Sequence, residues 1–128
     1  MFKFDEDLVS VDQGVWTEWN GSKFKIAHIS NMKFQRALAR LQQPYRRRIE
    51  TGSIDPNTNK KIVAQAMAET ILIDWDKVVN TENQDTPYTP VVGQTALMKS
   101  SEFRDFVSDF AMNLSNFREE EIEALGKD

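Results

Sequence analysis

Residues 60–90, KKIVAQAMAETILIDWDKVVNTENQDTPYTP, form the longest apolar-patterned stretch in the chain. Val63, Met67, Ile71, Trp75 and Val78 recur at intervals of four, four, four and three, the repeat of one helical face. Ile62, Ala66, Thr70 and Ile73 widen that stripe. The pattern predicts a long central helix, capped by Thr58 or Asn59 and ending near Asn80. An apolar helical stripe is first of all a core face. Any part of it that the fold leaves open is a partner surface, for which Ile71 and Trp75 are the candidates. A polar loop follows, and Pro87 and Pro90 bracket Tyr88. Pro90 suits the first turn of a short helix over 91–99 with Thr89 as its N-cap, and Gly93 weakens that helix.

What must pack against this stretch is written on both sides of it. Residues 1–12 alternate weakly and carry Asp5, Glu6, Asp7 and Asp12, which predicts an exposed arm or edge strand. Residues 15–19 and 24–29 are β-branched and aromatic runs separated by Asn20-Gly21-Ser22, a strong hairpin signal. A lone hairpin is marginal in water, so it must lie on something. Trp16 and Trp19 have opposite parity, so one is expected to face the helices and the other to be more exposed. Asn31 is the expected N-cap of a helix over about 32–43, with Phe34, Leu38 and Leu41 on one face and Lys33, Arg36 and Arg40 on the other. Pro44 kinks or ends it, and 45–51 resumes a helix. Ser100 or Ser101 caps a last helix whose stripe is Phe103, Phe106, Val107, Phe110, Ala111, Leu114 and Phe117. Four phenylalanines on one face each stabilise by roughly 2–3 kcal/mol if fully buried. Any that the monomer leaves uncovered would drive self-association or bind a partner helix, so Phe103, Phe106 and Phe110 join the candidate partner surface.

Catalytic material is sparse. There is no cysteine, so no thiolate nucleophile, disulfide or cysteine-held metal is available. The single histidine, His28, sits on an expected strand with no nucleophile beside it. No glycine-rich phosphate loop occurs, and Asp74 and Asp76 flank Trp75 without sharing a helical face. Glu119, Glu120 and Glu121 read as a charged helix end. No cofactor, metal site or enzymatic activity is expected. No apolar run approaches membrane-spanning length and the acidic N-terminus does not resemble a signal peptide, so a soluble, unprocessed protein is expected.

Charge is unevenly placed around a net −4. Residues 33–48 hold six basic side chains and no acidic one; residues 117–128 hold five acidic side chains against Arg118 and Lys127. Arg46, Arg47 and Arg48 form a candidate basic patch, with Tyr45 available to stack. Nucleic acid is the weaker reading, because the chain is acidic overall and carries no helix-turn-helix, zinc-finger or RNP pattern. The same arginines could instead meet the acidic tail of a neighbouring copy.

Three stretches carry a resemblance. Gly14-Val15-Trp16-Thr17-Glu18-Trp19, then Phe24-Lys25-Ile26-Ala27-His28-Ile29, then Asn31 through Leu38 resemble the opening of tail assembly chaperones of long-tailed phages, the family that includes the lambda-like tail assembly protein G. Ile73 to Val78 followed by Pro87-Tyr88-Thr89-Pro90 resembles the family's tryptophan and "p-y-t/s-p-e" segment. Phe103 to Val107 and Asn113 to Arg118 resemble its close. The resemblance spans about residues 14–118 and departs at Val91-Val92-Gly93, where a glutamate and a plainer helix start are expected. It implies a non-enzymatic chaperone that binds the tape measure protein, keeps it soluble until tube subunits polymerise around it, and is absent from the finished virion. It also implies a longer form, made by programmed frameshifting, that recruits the tail tube protein. Codons for Leu125-Gly126-Lys127 can contain a slip site.

The expectation is therefore a mainly α (α+β) single domain over 1–118, with four to five helices, a small N-terminal β-hairpin and an acidic tail over 119–128. Its partners are the tape measure protein, the tail tube protein through a frameshifted form, and further copies of itself, in the host cell cytoplasm and away from membranes. The alternatives are a small structural or adaptor protein of the virion, such as one at the head–tail junction, or a nucleic-acid-binding phage protein.

Overall fold

A computed structural model describes residues 11–118. The hairpin forms as expected: β1 (Val15–Trp19) pairs antiparallel with β2 (Ser22–Ile26), with Asn20 and Gly21 both at positive φ in the turn. Asn31 accepts a hydrogen bond from the Phe34 amide at the start of α1 (Met32–Gln42). Pro44 falls in a 3-10 turn (Gln43–Tyr45), and the five-residue α2 (Arg46–Glu50) follows. Thr89 caps α4 (Pro90–Lys99) and Ser100 caps α5 (Ser101–Met112); a 3-10 turn (Leu114–Phe117) follows. The fold class is as read from the sequence: mainly helical, α+β, with a small sheet near the N-terminus.

The long central helix is corrected. The helix α3 spans Pro56–Thr70, capped by the Asp55 side chain rather than by Thr58 or Asn59. Beyond Ile71 the chain becomes a strand, β3 (Leu72–Asp76), which pairs antiparallel with β2 and makes the sheet three-stranded in the order β1-β2-β3. The reason the stripe misleads lies in the register. Ile26 faces Leu72 and Lys25 faces Asp74, so Ile73 is an extra residue at a bulge. That insertion puts Leu72 and Trp75, three apart, on the same buried side. A bulged strand thus reproduces a helical spacing.

Tertiary partners stop the helix at Thr70. Its last carbonyls need donors from elsewhere once the chain extends. The Ala27 amide donates to Ile71 O at 2.7 Å, and the Tyr88 hydroxyl shares its one proton between Ala68 O and Leu72 O; within the helix, Thr70 Oγ1 bonds back to Ala66 O at 2.7 Å. Ile71, Ile73 and Trp75 also suit a pleated, half-buried strand once it is paired.

The core lies between the inner face of the sheet and helices α1, α3, α4 and α5. Phe24 and Ile26 from β2, Leu72 and Trp75 from β3, Ala64, Ala66, Met67 and Ala68 from α3, Leu97 from α4 and Phe103, Val107 and Ala111 from α5 meet there. The Ile29 amide donates to Ala111 O, which ties the end of the hairpin to the last turn of α5. The expected arm over 1–12 falls almost wholly, and the acidic tail over 119–128 wholly, outside the described residues.

Candidate partner-binding surface

The candidate residues separate into three environments. Ile71, Trp75 and Phe103 are core residues, exposed by 0%, 7% and 5%. Phe106 and Phe110 are half-buried at the margin of the core. Arg46, Arg47 and Arg48 are fully on the surface. Ile71, Trp75 and Phe103 are therefore closed to a partner in this conformation, and the surface that remains starts at Phe106.

Trp75 belongs to a clamp that the resemblance motif spells out. Its indole Nε1 donates to Thr86 O at 2.7 Å, and its ring meets Tyr88 edge-on with centroids 4.9 Å apart. Tyr88 in turn holds the junction of α3 and β3 through its hydroxyl. Burial pushes the Tyr88 phenol well above its ordinary range, and the carboxylates of Asp74 and then Glu69 add to the shift. The phenol is thus a permanent donor. Gly93 completes the clamp: a Cβ there would sit 2.6 Å from the Tyr88 ring. The departure at Val91-Val92-Gly93 keeps the helix and makes room for the tyrosine.

The open margin is an aromatic row. Trp19 on β1 stacks on Phe106 with centroids 5.0 Å apart and planes within 10° of parallel. Phe106 lies 6.4 Å from Phe110, one helical turn on, and Phe110 lies 5.8 Å from buried Phe117. At the end of α5 and just past it, Met112 and Leu114 are the exposed large apolar side chains, at 56% and 39%. Trp16, of the opposite parity to Trp19, points outward and is 43% exposed. The part of Trp19 in this row and the exposure of Met112 were not legible in sequence; only the register of β1 against β2 and the end of α5 at Met112 create them.

His28 is buried beside the same end of α5. Its ring meets Phe117 edge-on at 5.1 Å. The Ser30 amide donates to its Nδ1 at 3.1 Å, and Ser30 Oγ lies 2.6 Å from the same atom. Nδ1 is therefore an acceptor, and burial lowers the pKa of the ring. This packing gives His28 a structural place.

Among the described residues no group of His, Asp and Glu could hold a metal ion, and no helix is long and apolar enough to cross a membrane. A family model described as YdaY prophage protein matches residues 29–128, more than half of the chain. The match begins just after the hairpin and covers every helix among the described residues. No curated protein and no solved structure matches the chain.

Proposed function

The chain belongs to the YdaY prophage protein family, and is thus of phage origin; on that premise we propose that it is a tail assembly chaperone. It holds the tape measure protein soluble in the host cytoplasm while the tail is built, and it is not retained in the virion. The observation that carries the reading is the half-buried aromatic row of Trp19, Phe106 and Phe110. A half-open apolar margin along a helix suits the apolar face of an amphipathic helix, which is what a long helical tape measure protein offers. The order of the motifs along residues 14–118 supports the same reading. A frameshifted longer form that recruits the tail tube protein belongs to this proposal too.

The test is co-expression of the tape measure protein of the same prophage with and without this chain. The expected outcome is a soluble tape measure protein only when the chain is present. Phe110→Ser, at the half-buried margin of the core, should weaken that effect while circular dichroism shows the chain still folded. A tape measure protein that stays insoluble with the wild-type chain would overturn the reading. Expression from the native DNA with an N-terminal tag should show a minor longer band; a single band would remove the frameshifted form. Detection of the chain in purified particles would favour the adaptor at the head–tail junction instead.

A further inference from the structure

We propose that β1 pairs through its free edge with β1 of a second copy, so that two three-stranded sheets join into one of six strands. The order β1-β2-β3 leaves the sheet two edges, and they are finished differently. Along β3 the Trp75 amide donates to Asp74 Oδ1 at 2.8 Å and Leu72 O accepts from the Tyr88 hydroxyl at 2.6 Å; just beyond the strand, Val78 O accepts from the Thr86 amide at 2.8 Å. Side chains and a returning loop thus occupy that edge. The edge of β1 is open. Its two-residue turn makes Trp19 and Ser22 a hydrogen-bonded pair, and the alternation continues with Thr17–Phe24 and Val15–Ile26. Trp16 and Glu18 therefore turn their N–H and C=O groups away from β2. The same alternation frees the Trp75 amide from its partner Phe24, in keeping with its bond to Asp74. Among the described residues no hydrogen bond reaches these groups of Trp16 and Glu18, and both side chains are exposed. An open edge of this kind is a template for another strand.

The residues of β1 are complementary to themselves, which selects a second copy as the occupant. Antiparallel pairing centred on Thr17 sets Trp16 opposite Glu18 of the second copy, and the two-fold axis repeats that pair. The outward groups of both residues then satisfy one another, and the whole strand Val15–Trp19 is paired. Val15 meets Trp19 on the inner side, and Thr17 meets its own copy, a β-branched pair. On the outer face Glu18 lies between Lys23 of its own chain and Trp16 of the second copy, while Trp16 lies between Lys25 and that copy's Glu18. No like charges stand opposite each other. Centring on Glu18 would oppose two carboxylates, and centring on Trp16 would carry Trp19 beyond the end of the opposite strand. The helices leave room for the joint. α5 packs against β2, with Phe103 and Phe24 centroids 5.0 Å apart. Three strand spacings, about 14 Å, would separate β2 from its copy, more than the roughly 8–10 Å between packed helices. The two Trp19–Phe106 margins then face each other across the joint. The pairing rests on the strand edge and does not require the tape measure reading.

Sedimentation velocity and thiol cross-linking of the full chain test it. Wild type should pass from monomer to dimer as concentration rises. Trp16→Pro removes only an outward N–H, which an edge strand tolerates. It should weaken the dimer at least about tenfold, because two symmetry-related bonds go at once, while circular dichroism shows the chain still folded. Cross-linking reads the register, since the chain has no cysteine of its own. The two Thr17 Cα atoms would lie about 4.5 Å apart across the axis, so Thr17→Cys should form an intermolecular disulfide under mild oxidation. The two Glu18 Cα atoms would lie on a diagonal of about 8 Å, beyond the reach of a disulfide, so Glu18→Cys should stay unlinked. A wild type that stays monomeric, a folded Trp16→Pro protein that dimerises as well as wild type, or linkage of Glu18→Cys in place of Thr17→Cys would overturn the proposal. So would Trp16 and Glu18 amides that resist hydrogen exchange in the monomer, or only once the tape measure protein is added, because the edge would then belong to another segment.

Discussion

Two aromatic regions of this protein are built from the same kinds of residue and behave differently. Trp75 and Tyr88 form a clamp in which each ring has a polar tip bonded to a backbone carbonyl: Thr86 O for the indole, Ala68 O and Leu72 O for the phenol. Trp19, Phe106 and Phe110 form a row held by ring stacking at the margin of the core. The clamp decides where a helix stops and a strand begins. The row leaves apolar surface in contact with water. An aromatic that satisfies backbone groups is committed to the fold, whereas one held only by its ring edges can add a second set of contacts without giving up the first.

Mutations should separate the two regions by size of effect. Trp75→Ala removes a buried ring and the donor to Thr86, and should cost about 3–5 kcal/mol in urea unfolding. A loss below about 1 kcal/mol would mean that the clamp is not structural. Gly93→Ala drives a methyl group into the Tyr88 ring, and should cost about 1–3 kcal/mol. Tyr88→Phe keeps the ring but leaves Ala68 O and Leu72 O short of a donor, for about 1–3 kcal/mol. Its amide exchange should quicken first at the end of α3. Leu114→Ser, at an exposed side chain outside the core, should shift stability by no more than about 0.5 kcal/mol.

A pH titration sharpens the comparison at the other end of the row. Burial lowers the folded pKa of His28 from 6.5. The unfolded chain therefore takes up a proton first as pH falls. Stability should be at its full value above about 6.5 and decline as pH drops from there towards the lowered folded value. Protonation would also set a second N–H at Nδ1 against the Ser30 amide donor. His28→Gln should flatten this part of the stability profile, as measured by thermal unfolding across pH; an unchanged slope would show that other groups cause it.

Much of the fold is legible in the residues because local chemistry and tertiary structure agree there. Asn20-Gly21 makes a hairpin, Asn31, Thr89 and Ser100 cap helices, and Pro90 opens one. The partner surface is legible only in part. The stripe on α5 identifies Phe106 and Phe110, but it cannot tell them from Phe103, because all three share a helical face and only the hairpin, by lying over Phe103, covers one and half-covers the others.

The amino-acid sequence by itself determined the class of fold, the hairpin, the caps of α1, α4 and α5 and the uneven charge, since each depends on residues close together in the chain. Tertiary structure decided the helix-to-strand switch at Thr70 and the three-stranded sheet. Residues 71–75 satisfy the spacing of a helix and of a bulged strand alike. The choice between them is made by groups far along the chain, Ala27 and Tyr88, which supply donors to the carbonyls that the ending helix leaves bare.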